Sequence, residues 1–379
     1  MATNAPRIPS QEELEQRRRL QVGPETVSNQ ASTDFPGHWP GENHAWNIDH
    51  FRETFRVQFH KSEPLDSEFS LIGIDTSIAN AFRRILISEI PTLAIEDVFI
   101  RQNTSIMQDE VLAHRLGLIP LAGNRNALNW MKWYHRPTED NQNSGSPSDY
   151  NCAVLHLNIK CEWKADGLKL AAQGETDPDK LFVNHSVYAK DLRWTPIGKQ
   201  EEIFGDGRPL EAVNPDILIV KLRPGQSIDL LMHAFKGIGQ DHAKFSPVAT
   251  ASYRLLPTID ILKPIVGDDA KKFAKCFPKG VIDTPVITTE DSQDDLELQG
   301  KEGQVRAVVK NAMKDTVSRE VLRHEEFKDK VKLGRIRDHF IFKIESTGQW
   351  DSEDLFLESV KLLKVKCQRI RRGLDEMNK

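Results

Sequence analysis

The chain has 379 residues, 51 Lys and Arg against 56 Asp and Glu, a net charge of −5 and 39% hydrophobic residues. Those are the proportions of a globular protein with length for two or three domains, and the acidic balance argues against free-standing nucleic-acid binding. No apolar run reaches the roughly 18 residues that cross a bilayer, and four cysteines without a C-x-x-C pair exclude a disulfide scaffold and give structural zinc no obvious ligand set.

Residues 1–48 are rich in Pro, Gln, Ser and charge and read as a flexible extension, with room for a brief helix near residues 11–20. The opening MATNAPRIPSQEELEQRRRL has no apolar core, so no secretory leader is expected. Residues 51–60 alternate, with Phe55, Val57 and Phe59 opposite Arg56, Gln58 and His60, the pattern of a half-buried strand. A second strand over 68–74 leads into a helix that Asp75 or Thr76 can cap and Pro91 must end. Ile78, Ala79, Phe82, Ile85 and Leu86 form its apolar stripe. Asn80, Arg84 and Ile87 lie on the other face. An outward Ile beside a guanidinium is either scattered surface exposure or the mark of a helix covered a second time by a partner chain. A strand over 93–101 follows. Then comes a two-turn helix with Asp109 as its cap and Gly117 at its end.

The run ANAFRRILISEIPTLAIEDV, followed by DEVLAHRLGLIPL, resembles the alpha motif of the alpha-like subunits of cellular RNA polymerases. Beyond it, 136–150 is a polar loop, and 153–163 alternates as a strand. Cys152 and Cys161 fall on opposite faces of that strand, as two ordinary thiols rather than shared metal ligands. Shorter strands include 217–222 and 228–235. In KGIGQDHAKFSP, Lys236 to Pro247, the G-x-G lacks a third glycine and a following helix, so a dinucleotide reading is weak. His233, Asp241 and His242 lack a nucleophile or third ligand and read as structural. The segment resembles one carried by eukaryotic and archaeal members of the same family, and it leads into a strand over 249–254.

Residues 264–283 resemble a decayed ferredoxin motif, with Cys276 and Pro278 as its remnant. A cluster needs four thiolates, so Cys276 is not expected to bind one. Residues 290–302 hold six acids against one lysine and read as an exposed linker. The run KDTVSREVLRHEEFKDKVKLGRIRDHFIFKIESTG resembles most closely the branch of the family that RNA polymerases I and III share. Phe340, Phe342 and Ile344 alternate as a strand, and Asp351 or Ser352 caps a last helix. In that helix Phe356, Val360, Leu363, Cys367, Ile370 and Leu374 recur at spacings 4, 3, 4, 3, 4, a heptad seam. Packing on its own sheet and pairing with a partner helix explain the seam equally well from pattern alone. Residues 361–379 carry seven basic side chains and two acidic ones, which suit a helix C-terminus.

The resemblance implies an α+β fold, with a discontinuous alpha-type dimerisation domain over 50–97 plus 245–379. It implies an inserted β-rich domain over 98–244 and a degenerate ferredoxin-like insertion over about 264–330. It further implies a non-catalytic assembly subunit of RNA polymerases I and III, supporting rRNA, 5S rRNA and tRNA synthesis. The chain would sit in the nucleus, including nucleolus and nucleoplasm, with no cofactor, metal or membrane and with DNA reached only through the complex. Heterodimerisation with a smaller alpha-like subunit would use Ile78, Phe82, Ile85, Leu86, Phe356, Val360, Leu363, Cys367 and Ile370. Docking of the second-largest subunit would use Asn80, Arg83, Arg84, His114 and Arg115, with Arg84 foremost. Phosphoryl transfer needs carboxylates clustered on Mg²⁺, and no D-x-D-x-D run is present. The family's separate DNA-binding domain, found in its bacterial members, is not expected here. Three alternatives stand beside this reading. They are the RNA polymerase II paralogue, whose zinc-binding cysteine group this chain lacks, a ferredoxin-like electron carrier, and a free-standing DNA-binding factor.

Overall fold

A computed structural model describes residues 10–28, 46–136, 146–205, 209–294 and 296–378. The elements used below are, in chain order, α1 Gln11–Arg17, β1 Arg19–Val22, β2 Val27–Ser28, α2 Ile48–Thr54, β3 Arg56–Ser62, β4 Asp66–Ile72, α3 Thr76–Ser88, β5 Thr92–Asn103, α4 Asp109–Gly117, α5 Arg125–Trp130, β6 Cys152–Lys160, β7 Leu218–Lys221, β8 Ser227–Gly237, β9 Val248–Ile261, α6 Asp268–Lys275, β10 Val331–Ser346 and α7 Ser352–Met377. Packing divides them into two compact units. One comprises residues 1–60, 69–79 and 253–342, and the other 61–68, 80–252 and 343–379.

The first unit is built on a six-stranded sheet in the order β2-β1-β10-β4-β3, with β9 also paired to β10. Phe69 and Phe342 stack with ring centroids 5.6 Å apart. On the same sheet, the Ser70 hydroxyl lies 2.7 Å from His60 Nε2 and 2.8 Å from His339 Nε2. β1 pairs antiparallel with β10, from Arg19 opposite Ile336 to Val22 opposite Leu333. Val22 joins a core that includes Ile259, Phe273, Phe277, Val281 and Phe327, and Arg18 forms an ion pair with Asp338 at 2.9 Å. Residues 10–28 are therefore not a flexible extension. Pairing to a sheet edge and burial of one valine hold a segment whose composition alone suggests disorder. Of the remainder of that expectation, 1–9 and 29–45 lie outside the described residues, and 46–48 lead into α2.

Two further expectations change in this unit. Residues 51–54 belong to α2 rather than to a strand, because Asn47 Oδ1 accepts hydrogen bonds from the amides of Asp49 and His50 and starts a helix there. The strand begins only at Arg56, and its Val57 and Phe59 are exposed. The acidic stretch is not an exposed linker either. Thr289–Asp294 is helical, Asp291 pairs with Arg306 at 2.7 Å and Leu298 is buried. Cys276 ends α6 within the core, and burial raises its thiol above the ordinary value.

The second unit holds a four-stranded antiparallel sheet in the order Arg193–Thr195, β6, β8, β5. α4 packs on β5, and Leu112 and Leu116 enter a core with Leu93, Ile95, Leu155, Leu157, Leu230 and Met232. Cys161 lies in that core, while Cys152 clusters with Val154 and Phe235 on the other face. Burial pushes the Cys152 thiol up to about 12, so it stays protonated and unreactive near neutral pH.

The Lys236–Pro247 segment has a packing explanation. A Cβ on Gly239 would stand 2.2 Å from the Ile87 carbonyl oxygen, and one on Gly237 would stand 2.6 Å from the Phe245 ring. His242 Nδ1 accepts the Lys244 amide, and the Lys244 ammonium donates to the Ile95 carbonyl at 2.8 Å. Gln240 N–H donates to the Ser88 carbonyl at 2.9 Å. These bonds hold Asn80–Ser88 of α3 with the body of residues 92–252. α7 also belongs to this unit, so its packing boundary is wider than the expected 98–244.

Candidate functional site

Two helices carry the residues of interest. α3 begins where Asp75 Oδ1 accepts the Ser77 amide at 2.7 Å, so Asp75 is the cap. Ile85 and Leu86 are 2% and 0% exposed. They are already covered by their own chain and offer no surface to a partner, which corrects their assignment to an interface. Ile78 and Phe82 are half-buried. Arg83 donates from Nε and Nη2 to Asn80 Oδ1 at 3.2 and 2.8 Å, which ties those two side chains together. Arg84 is exposed and has no side-chain partner among the described residues.

α7 is anchored at its start and free at its end. Asp351 stands at the N-cap position, but its side chain makes no capping bond. Ser352 instead donates from its amide to the Pro64 carbonyl and from Oγ to the Glu63 carbonyl, both at 2.8 Å. Asp354 pairs with Arg125 of α5, whose guanidinium lies 4.8 Å from the Trp350 ring centre. That hydrogen bond lowers the Asp354 carboxyl below its ordinary value. Leu355 and Ser359 are fully buried, and Phe356 meets Phe82 edge to face at 5.3 Å.

From Lys364 to Asn378 every side chain is exposed, including Cys367, Ile370 at 65% and Met377 at 83%. That is about 21 Å of helix at 1.5 Å per residue, tied to the rest of the unit by the Lys366–Glu89 ion pair. Of the expected seam, Phe356 and Leu363 are half-buried and Val360, Cys367 and Ile370 are exposed. Met377, three residues past Leu374, continues the seam, and the same spacing rule extended by one step finds it.

His114 is exposed on α4. Arg115 donates to the carbonyls of Ile219 and Leu218 at 3.0 and 2.6 Å, so much of its guanidinium is spent holding α4 to β7. Lys236 is an internal strut that sequence reasoning passed over. It donates to the Leu128 and Met131 carbonyls at 2.9 and 3.2 Å, and burial lowers its ammonium below the ordinary value. Among the described residues, no three His, Cys, Asp or Glu side chains are placed to hold a metal ion, and no helix is long and apolar enough to cross a membrane.

The profile of the RNA polymerase Rpb3/Rpb11 dimerisation domain matches residues 68–367. The chain is 49% identical over 345 residues to the DNA-directed RNA polymerases I and III subunit RPAC1 of Saccharomyces cerevisiae, covering 91% of this chain and 95% of that protein. It is 44% identical over 369 residues to the protein of the same name from Homo sapiens, covering 97% and 98%. Identity to the DNA-directed RNA polymerases II, IV and V subunit 3 of Arabidopsis thaliana is 31% over 316 residues, covering 82% and 88%.

Proposed function

Because the chain belongs to the family of the RNA polymerase Rpb3/Rpb11 dimerisation domain, we propose that it is the larger alpha-like subunit of RNA polymerases I and III. In this reading it is a non-catalytic scaffold working in the nucleus, in the nucleolus with polymerase I and in the nucleoplasm with polymerase III. The observation that carries the assembly role is the exposed half of α7. Beyond half-buried Leu363, a heptad seam of Cys367, Ile370, Leu374 and Met377 reaches solvent over about three turns of helix. A chain has little reason to hold such a helix out unless a second helix covers it.

The smaller alpha-like subunit is the partner that fits. Residues 50–97 plus 245–379 form the dimerisation domain in this reading, 98–244 the insertion, and about 264–330 the ferredoxin-like element. Paired helices from each chain can bury an interface of obligate size. Phe82, Phe356, Val360, Leu363, Cys367 and Ile370 supply the surface on this side, with Ile78 at its border. Arg84, exposed and without a side-chain partner among the described residues, is the foremost contact for the second-largest subunit, with His114 beside the alpha motif as a lesser one. The higher identity to proteins named for polymerases I and III than to one named for II, IV and V favours the shared branch over the polymerase II paralogue.

Affinity capture of the tagged chain from nuclear extract, read by mass spectrometry, tests this. Recovery of polymerase I and polymerase III large subunits, with a small alpha-like partner and no polymerase II subunits, is the expected result. Recovery of one polymerase alone keeps the family and discards the sharing. Recovery of the chain without polymerase subunits overturns the assignment.

A further inference from the structure

The charge beside the exposed seam of α7 is one-sided. In a paired helix two positions of each heptad face the partner's own flanks, here the residue that follows Leu363 or Ile370 and the residue that precedes Cys367 or Leu374. In the free half of α7 these positions are Lys364, Lys366, Arg371 and Gly373. Every charged one is basic. The two carboxylates of this half, Asp375 and Glu376, fall on the outward side of the helix, away from the flanks. Lys366 is answered within the chain by Glu89, whereas Lys364 and Arg371 are exposed and without a side-chain partner among the described residues. At the fourth flank position, Gly373 has nothing within 4 Å of where a Cβ would stand, which leaves room for a close approach.

We infer that the helix seated on Lys364–Met377 carries carboxylates at its flanks, opposite Lys364 and Arg371, and that the same two cations bar a second copy of this chain from the site. In a parallel or an antiparallel self-pair, basic flanks would face basic flanks, and like charges at such positions destabilise a helix pair. An acidic-flanked partner meets the same apolar seam with the charges matched. The inference rests on the reading of α7 as the dimerisation helix and adds to it the partner's chemistry and a reason for hetero- rather than homodimerisation.

The test uses the full-length chain co-expressed with the smaller alpha-like subunit of the same cell, in three forms: wild type, the double variant Lys364→Glu/Arg371→Glu, and Ile370→Asp. All three positions are exposed, so each form should keep the wild-type urea midpoint, which is measured alongside. At 50 mM salt the double variant is expected to bind its partner about tenfold more weakly than wild type, with the gap closing to about twofold at 500 mM as screening removes the charge effect. Ile370→Asp is expected to lose the partner at both. Equal binding by wild type and double variant at 50 mM, with Ile370→Asp still disruptive, overturns the acidic-flank inference and leaves the interface reading standing. Wild-type binding by Ile370→Asp as well means that α7 is not the interface, and both fall. A homodimer of the wild-type chain alone, abolished by Ile370→Asp, also overturns the inference.

Discussion

At the scale of single residues, the close approaches and the half-buried His339 give sharp expectations. Gly239 lets β8's outgoing chain pass against the Ile87 carbonyl, and Gly239→Ala should destabilise the protein by about 1–3 kcal/mol, since backbone must move to admit the methyl. Gly373→Ala is the contrast, with open space around it, and should be neutral or stabilising by up to about 1 kcal/mol. Urea unfolding of both variants reads the difference, and equal effects would remove the packing explanation of the Lys236–Pro247 segment. His339 gives a pH dependence. Burial is the chief cause that lowers its imidazole below the ordinary 6.5; Asp338 opposes this, and His60 and Arg18 add to it. The folded state therefore binds this proton less readily than the unfolded state. The stability associated with neutral His339 is full above pH 6.5 and is lost as pH falls below it. His339→Gln should show a smaller loss between pH 7.5 and 5.5 than wild type; parallel losses would show that His339 is not a source of it.

At the scale of elements, α7 divides into a half that stabilises this chain and a half that does not. Leu355 is fully buried, and Leu355→Ala should cost about 2–4 kcal/mol, from lost burial and the cavity left behind. Deleting residues 364–379 removes side chains that are all exposed up to Asn378. The deletion should shift the thermal midpoint by no more than about 2 °C and should abolish capture of the small alpha-like partner. A deletion that unfolds the chain would mean that the distal turns serve the chain's own stability. The same division explains why periodicity alone left the helix open between two readings. Phe356 and Ile370 occupy equivalent seam positions, but one lies against Phe82 and the other against solvent.

For the whole molecule, two sets of contacts should be separable in the assembly. Arg84→Glu changes an exposed guanidinium that makes no side-chain contact among the described residues, so folding and the small-partner heterodimer should survive. Capture of the second-largest subunit should weaken by about tenfold or more, as removal of one member of a desolvated charge pair costs about 2 kcal/mol or more. Competition between tagged wild-type and variant chains for assembly into polymerase measures this. Equal incorporation would move the docking role away from Arg84. Arg115 differs, because its guanidinium holds β7 carbonyls, and its loss would act on stability before it acted on docking.

The sequence by itself determined the family and most of the elements. The forty-residue run around Phe82 is specific letter by letter, and helices and strands follow from local spacing of apolar residues and from caps such as Asp75. Tertiary structure decided what each apolar position faces. Ile85 and Leu86 look like interface residues in the pattern and are closed over by their own chain, while Ile370 in an equally good pattern is open. It also decided the fate of residues 10–28, whose composition suggests disorder and whose edge pairing with β10 gives them order. The physical reason is common to these cases. Periodicity says that a face must be covered, and only the packing of distant segments says whether this chain or another one covers it.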